Sequence, residues 1–528
     1  MNKVYRLVWS KIHSLWIPVA ELTSGHKKGR FKERKKVSVK LQIPLPKPAL
    51  LSLLVASILG TLTTNTIAEV ASNTLPTGAN IASGSATITT TGSNMLIQQS
   101  TDKLITNWTG FDIGASASVT FNQPSSSAIA LNRIAAQNPT QILGQLNANG
   151  QVMLINASGI VFSQGSQINV GSITASTLDI SDDNFLNGNF RFTGSTGEIL
   201  NQGSITTAQG GRVAFIAQKV KNQGDITTPD GTAALISASD VTLDLSGDGT
   251  IGIDITQGAV DALVENNQLI KADNGAVLLS ARAFDELTRA AVNNTGVIEA
   301  TSITKKGGRI ILEGDDIHLS STSEIDASGA TGGGEVLVGG DWQGAGDMHQ
   351  ATTVTMDSGA SIDANATDNG NGGKVVFWSD ITNKNSVTEV HGTINAKGGP
   401  NGGDGGQIET SGYVLRAREI EVSTLSPVGN GGQWLLDPNS IYVGDSYGVS
   451  RSGINTALQS GTSVTLTTTA GSSSCTGVSC SADVADNLGD IFIGGEITGD
   501  ASTATLTLDA VGDIYINAPV SGAGLSIS

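Results

Sequence analysis

Little in these 528 residues points to chemistry. The chain holds 2 cysteines, Cys475 and Cys480, so a disulfide framework cannot carry the fold. Of 5 histidines, the three beyond the N-terminal region are His318, His349 and His391, far apart and without metal-ligand spacing. No Gly-x-Ser-x-Gly elbow with triad partners is present, and NGNGGK (369–374) lacks the Ser or Thr of a phosphate-binding loop. GGPNGGDGGQIE (398–409) has the flavour of a Ca²⁺-binding Gly-Asp repeat but occurs once. Asp182-Asp183 and Asp315-Asp316 are adjacent acids, which on a strand would face opposite sides. The expectation is no enzyme, no metal and no cofactor. Aromatics make up 4% and charged residues 15%, which argues against a propeller with aromatic markers in each blade.

What is abundant is Gly (66 residues), with Ser, Thr, Asn, Ala, Val and Ile. β-Branched residues alternating with small polar ones suit pleated strands, and Gly and Asn suit turns. The steady supply of Ile, Val and Leu argues against disorder. The formal net charge is −17 but unevenly placed. Residues 1–68 hold 12 of the 30 basic and 2 of the 47 acidic residues, leaving 18 basic against 45 acidic beyond them. An acidic body excludes nucleic acid or an anionic membrane as the main partner.

Residues 1–68 read as a targeting segment. HKKGRFKERKKVSVK (26–40) is basic, ALLSLLVASILG (49–60) is apolar but too short to span a membrane well, and Ala68 offers a cleavage point. The preceding stretch has Met-Asn-Lys, a Tyr-Arg pair, Trp9, Trp16 and Val19-Ala20-Glu21-Leu22. It resembles the extended signal region of very large exported proteins of Gram-negative bacteria, which implies slowed targeting.

The body repeats itself. NQGSITTAQGGRVAFIAQ (201–218) and NQGDITTPDGTAALISAS (222–239) align with a shift of 21. GGRIILEGDDI (307–317), GGGEVLVGGDW (332–342), GGKVVFWSD (372–380) and GGQIETSGYVL (405–415) share Gly-Gly and then alternating apolar positions. EIDASGA (324–330), SIDANAT (361–367) and TINAKGG (393–399) form a second series. Several short strands per period of about 20 residues indicate a solenoid. The expected fold is all-β: a right-handed parallel β-helix with a capped N-terminal domain and small elements outside the coils. ARAFDELTRAAV (281–292) places Phe284, Leu287 and Ala291 at helical spacing and predicts a short helix packed on the shaft.

Residues 146–162, LNANGQVMLINASGIVF, set a polar, turn-prone insert between two apolar runs. Around them lie Trp108 and Phe111, then Asn122-Gln123-Pro124, Leu131-Asn132-Arg133, Gly144 and Asn149-Gly150-Gln151. This ordered set resembles the N-terminal secretion domain of filamentous haemagglutinins and high-molecular-weight adhesins, the exported partners of two-partner secretion. GQWLLDPNSIYV (432–443) resembles a segment of the adhesin branch. The family's usual Asn-Pro-Asn-Gly is here Asn156-Ala157-Ser158-Gly159, from which the same β-turn is expected, with less rigidity.

The resemblance implies an outer-membrane β-barrel transporter as partner and makes Asn132, Arg133, Asn156 and Gly159 the candidate secretion motif. Two roles stay open for them: holding the first coils together, or contacting the transporter's periplasmic domains. Arg133 could pair its fork with a carboxylate. Cys475 and Cys480 form a Cys-x₄-Cys pair, read as a small disulfide loop. The Asn-x-Ser/Thr sequons at Asn107, Asn156, Asn293 and Asn365 read as chance in a chain of this composition. The expected organisation is signal peptide to 68, secretion domain 69–320, further β-helix 321–443 and a β-rich region 444–528 that stops in mid-pattern. The functional expectation is a monomeric surface adhesin that binds a host glycan or protein. Rival readings are the stalk of a contact-dependent inhibition toxin, a haemolysin, a haem-scavenging exoprotein and, in another class, a β-helical polysaccharide lyase.

Overall fold

The computed structural model describes residues 5–10, 15–20, 70–194, 197–245, 252–284, 288–445, 447–468, 489–499, 504–522 and 526–527. Ala68, Cys475 and Cys480 lie outside them. Residues 1–68 and 69–528 form two units. In the first, Tyr5–Ser10 pairs antiparallel with Leu15–Ala20, Trp9 opposite Trp16.

The second unit is a parallel β-helix. Its chain visits three faces in turn, in sheets of 13, 16 and 10 strands among the described residues. One coil is Gln145–Ala148 on the first face, Gln151–Ile155 on the second and Ile160–Phe162 on the third. The sequence repeats are these coils seen end on. Ile325, Ile362 and Ile394 from the three Ile-Asp/Asn segments stack on the first face. Ile310, Val336, Val375, Ile408 and Trp434, each shortly after a Gly pair, stack on the second. Asn201 stacks on Asn222. Side chains alternate in and out, so Val152 and Leu154 enter the central core.

The glycine just before each second-face strand has a packing reason. A Cβ on Gly231 would lie 1.9 Å from the Gly211 carbonyl, and one on Gly275 1.9 Å from that of Gly231. The same close approach recurs down the column through Gly308, Gly334, Gly373, Gly406 and Gly432. At the corner from the third face to the first, buried asparagines form a ladder. Asn201, Asn222 and Asn266 each donate Nδ2–H to the next amide oxygen at 2.8 Å, and Asn294 ends on Ser323 Oγ at 2.6 Å. The ladder satisfies amides that would otherwise be orphaned in the core.

The top of the helix is closed by antiparallel pairing. Asn80–Ser83 runs against Lys103–Trp108, and Ala86–Thr91 against Asn94–Gln99. The second face is also covered outside, so its strands are buried on both sides. Ile105, Leu131, Met153, Ala214 and Ile236 pack under Leu178, Ile180, Phe185, Phe192, Val241 and Leu243.

Two readings need correction. Around 281–292 the described residues are strand and corner: Ala276–Ala281 ends the second face and Ala290–Asn294 begins the third. The spacing of Phe284 and Ala291 reflects the passage from one face to the next, and Phe284 is half exposed. Residues 285–287, with Leu287, lie outside the described set. Asp182-Asp183 sits in the first turn of a helix, Asp182–Asn187, capped by Ser181 Oγ accepting from Asn184 N–H at 3.2 Å. A second unforeseen helix, Arg451–Gln459, buries Ile454, Ala457 and Leu458.

Candidate functional site: the corners of the first coils

The motif residues lie on successive coils of the second face and its corners. Trp108 ends Lys103–Trp108, Asn132 and Arg133 lie in Ile129–Ile134, and Asn156 follows Gln151–Ile155. Trp108 and Asn132 point inward. The indole N–H donates to Asn132 Oδ1 at 2.9 Å, and Asn132 Nδ2–H donates to the carbonyls of Met153 (3.2 Å) and Ala130 (3.3 Å). Asn132 is fully buried. Phe111 meets Trp108 edge-on, ring centres 5.1 Å apart.

Asn156 is buried too. It opens the β-turn from the second face to the third. Gly159 N–H donates to its carbonyl at 3.0 Å and Ser158 N–H to its Oδ1 at 2.9 Å. Its Nδ2–H donates to Asn138 O (3.1 Å) and Thr140 Oγ1 (3.0 Å), on the preceding coil. This is an Asx turn whose amide staples one coil to the one before. Gly159 takes the left-handed conformation, φ +115°, with Glu198 O only 2.9 Å from where a Cβ would stand. The left-handed residue is thus Gly159, and Ser158 is not in that region. Serine therefore carries no left-handed strain here. Ser158 Oγ instead donates to Ala136 O at 3.1 Å.

Arg133 points outward, its side chain 20% exposed. Nε donates to Asp179 at 2.8 Å, Nη1 to Asp182 at 2.5 Å and Nη2 to the Ile180 carbonyl. Burial opposes its charge, but the two carboxylates outweigh it and hold the guanidinium pKa above its ordinary value. Arg133 thus pins the start of the covering helix. Lys103 Nζ pins its end by donating to the Phe185 (3.1 Å) and Leu186 (2.6 Å) carbonyls.

Gln123 and Asn149, which belong to the ordered set that carries the resemblance, make a further group of buried contacts beside the candidate motif. Gln123, buried, donates Nε2–H to Gln99 Oε1 (3.2 Å), Ala128 O (3.0 Å) and Gln151 O (3.1 Å), and its Oε1 accepts from Gly150 N–H at 3.0 Å. Asn149 clamps the Gln123 backbone from both sides, at 2.7 and 2.8 Å. Asp112 Oδ1 accepts from Gln141 N–H at 2.8 Å. The sequence marked Gln123 and Asn149 through the resemblance, but nothing in it distinguished Asp112. Together the site is a set of hydrogen-bonded corners that fixes the first coils and their cover.

The TPS secretion domain family matches residues 69–327, and the Extended Signal Peptide of Type V secretion system matches 1–46. The crystal structure of the HMW1 secretion domain from Haemophilus influenzae is matched over its whole length and 69% of this chain, at 30% identity and a TM-score of 0.55. A heme/hemopexin-binding protein of Haemophilus influenzae is 36% identical over 275 residues, 50% of this chain and 30% of that one. A second protein of that name and species is 31% identical over 270 residues, 47% and 29% respectively. The chain thus spans less than a third of the length of these curated relatives. A secretion domain of this kind implies a cognate outer-membrane transporter. The chain belongs to the TPS secretion domain family: it is a two-partner secretion exoprotein, exported through the periplasm to the cell surface.

Proposed function

We propose that the exported chain is an adhesin: a monomeric β-helical shaft that attaches the cell to a host glycan or protein. The observation that carries this reading is the second face, 16 strands long among the described residues and continuous from the cap to Ser526–Ile527. Such a sheet grows coil by coil, each coil needing only its neighbour, so folding can follow emergence from a transporter. The corners around Asn132 and Asn156 would then be the template on which the shaft starts, and the transporter would recognise other residues.

A second reading is supported by the name of the two Haemophilus relatives, heme/hemopexin-binding protein. If it applies, capture of a carrier protein fits better than ligation of haem iron by the described histidines. His318 Nε2 meets Asp357 (3.1 Å), His349 Nε2 meets Asp315 (2.7 Å), and His391 contacts the Arg418 carbonyl and Glu389.

The test is export of the chain behind its native leader, with and without the transporter, followed by binding of the released protein to host epithelial cells and to immobilised hemopexin. Transporter-dependent release with cell binding supports the adhesin. Hemopexin binding alone supports the second reading, and release that ignores the transporter removes the proposed template role.

A further inference from the structure

The second face carries one unexplained carboxyl group. In the outward column Ile311, Leu337, Val376, the next coil places Glu409, followed by Leu435. Glu409 is fully buried. Its cover is the loop 340–350. That loop is closed at its base by Ala351 N–H donating to Gly339 O at 2.8 Å, and lies over Leu337, Val376 and Trp378. We propose that this loop is a flap fastened in acid and loosened as pH rises, with Glu409 as its latch.

The geometry is that of a hinged cover. Gly339, Gly344 and Gly346 are left-handed, and so is Gln343 (φ +52°), a conformation a β-carbon disfavours. Gln343 N–H donates to Glu409 Oε2 at 2.8 Å, so the strained residue is held by the buried carboxyl. Ser411 Oγ lies 2.9 Å from Oε1. Ser411 Oγ is the donor there and itself accepts from Asp437 N–H at 3.2 Å, so both contacts present donors to the carboxyl without neutralising it.

What the ionised group lacks is a counter-charge. Two further carboxylates lie near, Asp341 on the flap and Asp437 on the next coil. Lys374 is engaged with Glu335 (2.5 Å) and Asp341 (2.9 Å), and Arg309 with Glu335 (2.5 Å). No cation pairs with Glu409 among the described residues. Burial first, then these acids, push its pKa up from 4.5 to about 7 against the two hydrogen bonds. At the far end of the flap His349 meets Asp315 (2.7 Å) and, through its N–H, Glu313 (3.2 Å), which Arg282 pairs. Asp347 is exposed.

The sign follows. A carboxyl whose pKa is raised on closing binds its proton more tightly in the closed state. The closed flap is favoured fully below pH 4.5, weakens as pH rises to about 7 and changes no further above it.

The experiment is hydrogen exchange of residues 340–350 in the exported chain between pH 5 and pH 8. Rates are corrected for intrinsic exchange and referenced to the turn at 156–159. Three proteins are compared: wild type, Glu409→Gln, which is neutral at every pH, and His349→Gln. The expected wild-type result is a loss of protection on the order of 100-fold from pH 5 to pH 8. Glu409→Gln should keep its pH 5 protection throughout, and His349→Gln should follow the wild type. A flat wild-type profile, or a Glu409→Gln profile parallel to wild type, overturns the proposal. Loss of the pH dependence in His349→Gln alone would move the latch to His349 and overturn it equally. Should Glu409→Gln fail to fold, carboxyl NMR of the wild type decides: one Glu titrating near 7 supports the latch, and none above 5 overturns it.

Discussion

Trp108 donates its indole N–H to Asn132 Oδ1 at 2.9 Å, one coil further along the shaft and wholly inside it. The contact places Asn132 of the candidate secretion motif in a structural partnership with Trp108. It makes their exposure to another protein in the folded state impossible.

The first prediction concerns that pair. Asn132→Ala strands the Trp108 N–H in the core. An unsatisfied buried group costs about 1–3 kcal/mol, so a loss of about 2 kcal/mol is expected. Urea unfolding followed by tryptophan fluorescence checks it. A loss under about 0.5 kcal/mol, the scale of an inconsequential change, would show that water replaces the amide.

Asn156 separates folding from recognition. Asn156→Asp keeps the acceptor for Ser158 N–H but loses both donors to the preceding coil, to Asn138 O and Thr140 Oγ1. Stability and secretion yield should therefore fall together, stability by about 1–2 kcal/mol. Normal unfolding with abolished secretion would instead make Asn156 a recognition residue.

How much of this was legible is best seen in particular residues. The stacking of Ile325, Ile362 and Ile394 was open to sequence reading because a parallel β-helix writes its register as a repeat. The turn at 156–159 was legible because Asn and Gly have distinct turn chemistry. The cover over the second face was not. Its pattern is not repeated, and Ile105 or Met153 reads as an outward position that should be polar. Leu178, Phe185 and Phe192 reveal their purpose only once they fold back on it. The Ser181 cap and the Ile454, Ala457, Leu458 spacing did signal helices, but each is short among strands. Glu409 gave no signal, since nothing local tells a buried outward carboxyl from an exposed one.

Arg133→Lys should loosen the cover without unfolding the shaft. Lysine cannot reach Asp179, Asp182 and the Ile180 carbonyl together as the guanidinium fork does. Both aspartates are half exposed or more, so the global cost is small, about 1 kcal/mol. The expected outcome is faster proteolytic cleavage within 177–194 at nearly unchanged global stability. An unchanged cleavage rate would mean that Lys103 and the apolar contacts of Phe185 suffice.

The glycine column provides a comparison in which only close packing differs. Gly275→Ala drives a methyl into the Gly231 carbonyl, which is corner backbone held by Ala276 N–H at 3.0 Å and cannot swing aside. Coils would have to separate locally, breaking ladder hydrogen bonds on the second face, so a loss of about 2–4 kcal/mol is expected. Gly165→Ala meets nothing within 4 Å, and its only difficulty is a φ of +88°. Left-handed strain in a non-glycine residue costs about 1–2 kcal/mol. Gly275→Ala should therefore be the more damaging, although its φ is one any residue adopts. Thermal unfolding of the two variants side by side checks the order. The reverse order would mean that the shaft yields along its axis more easily than its corners change conformation, and the coil spacing would no longer explain the repeated Gly pairs.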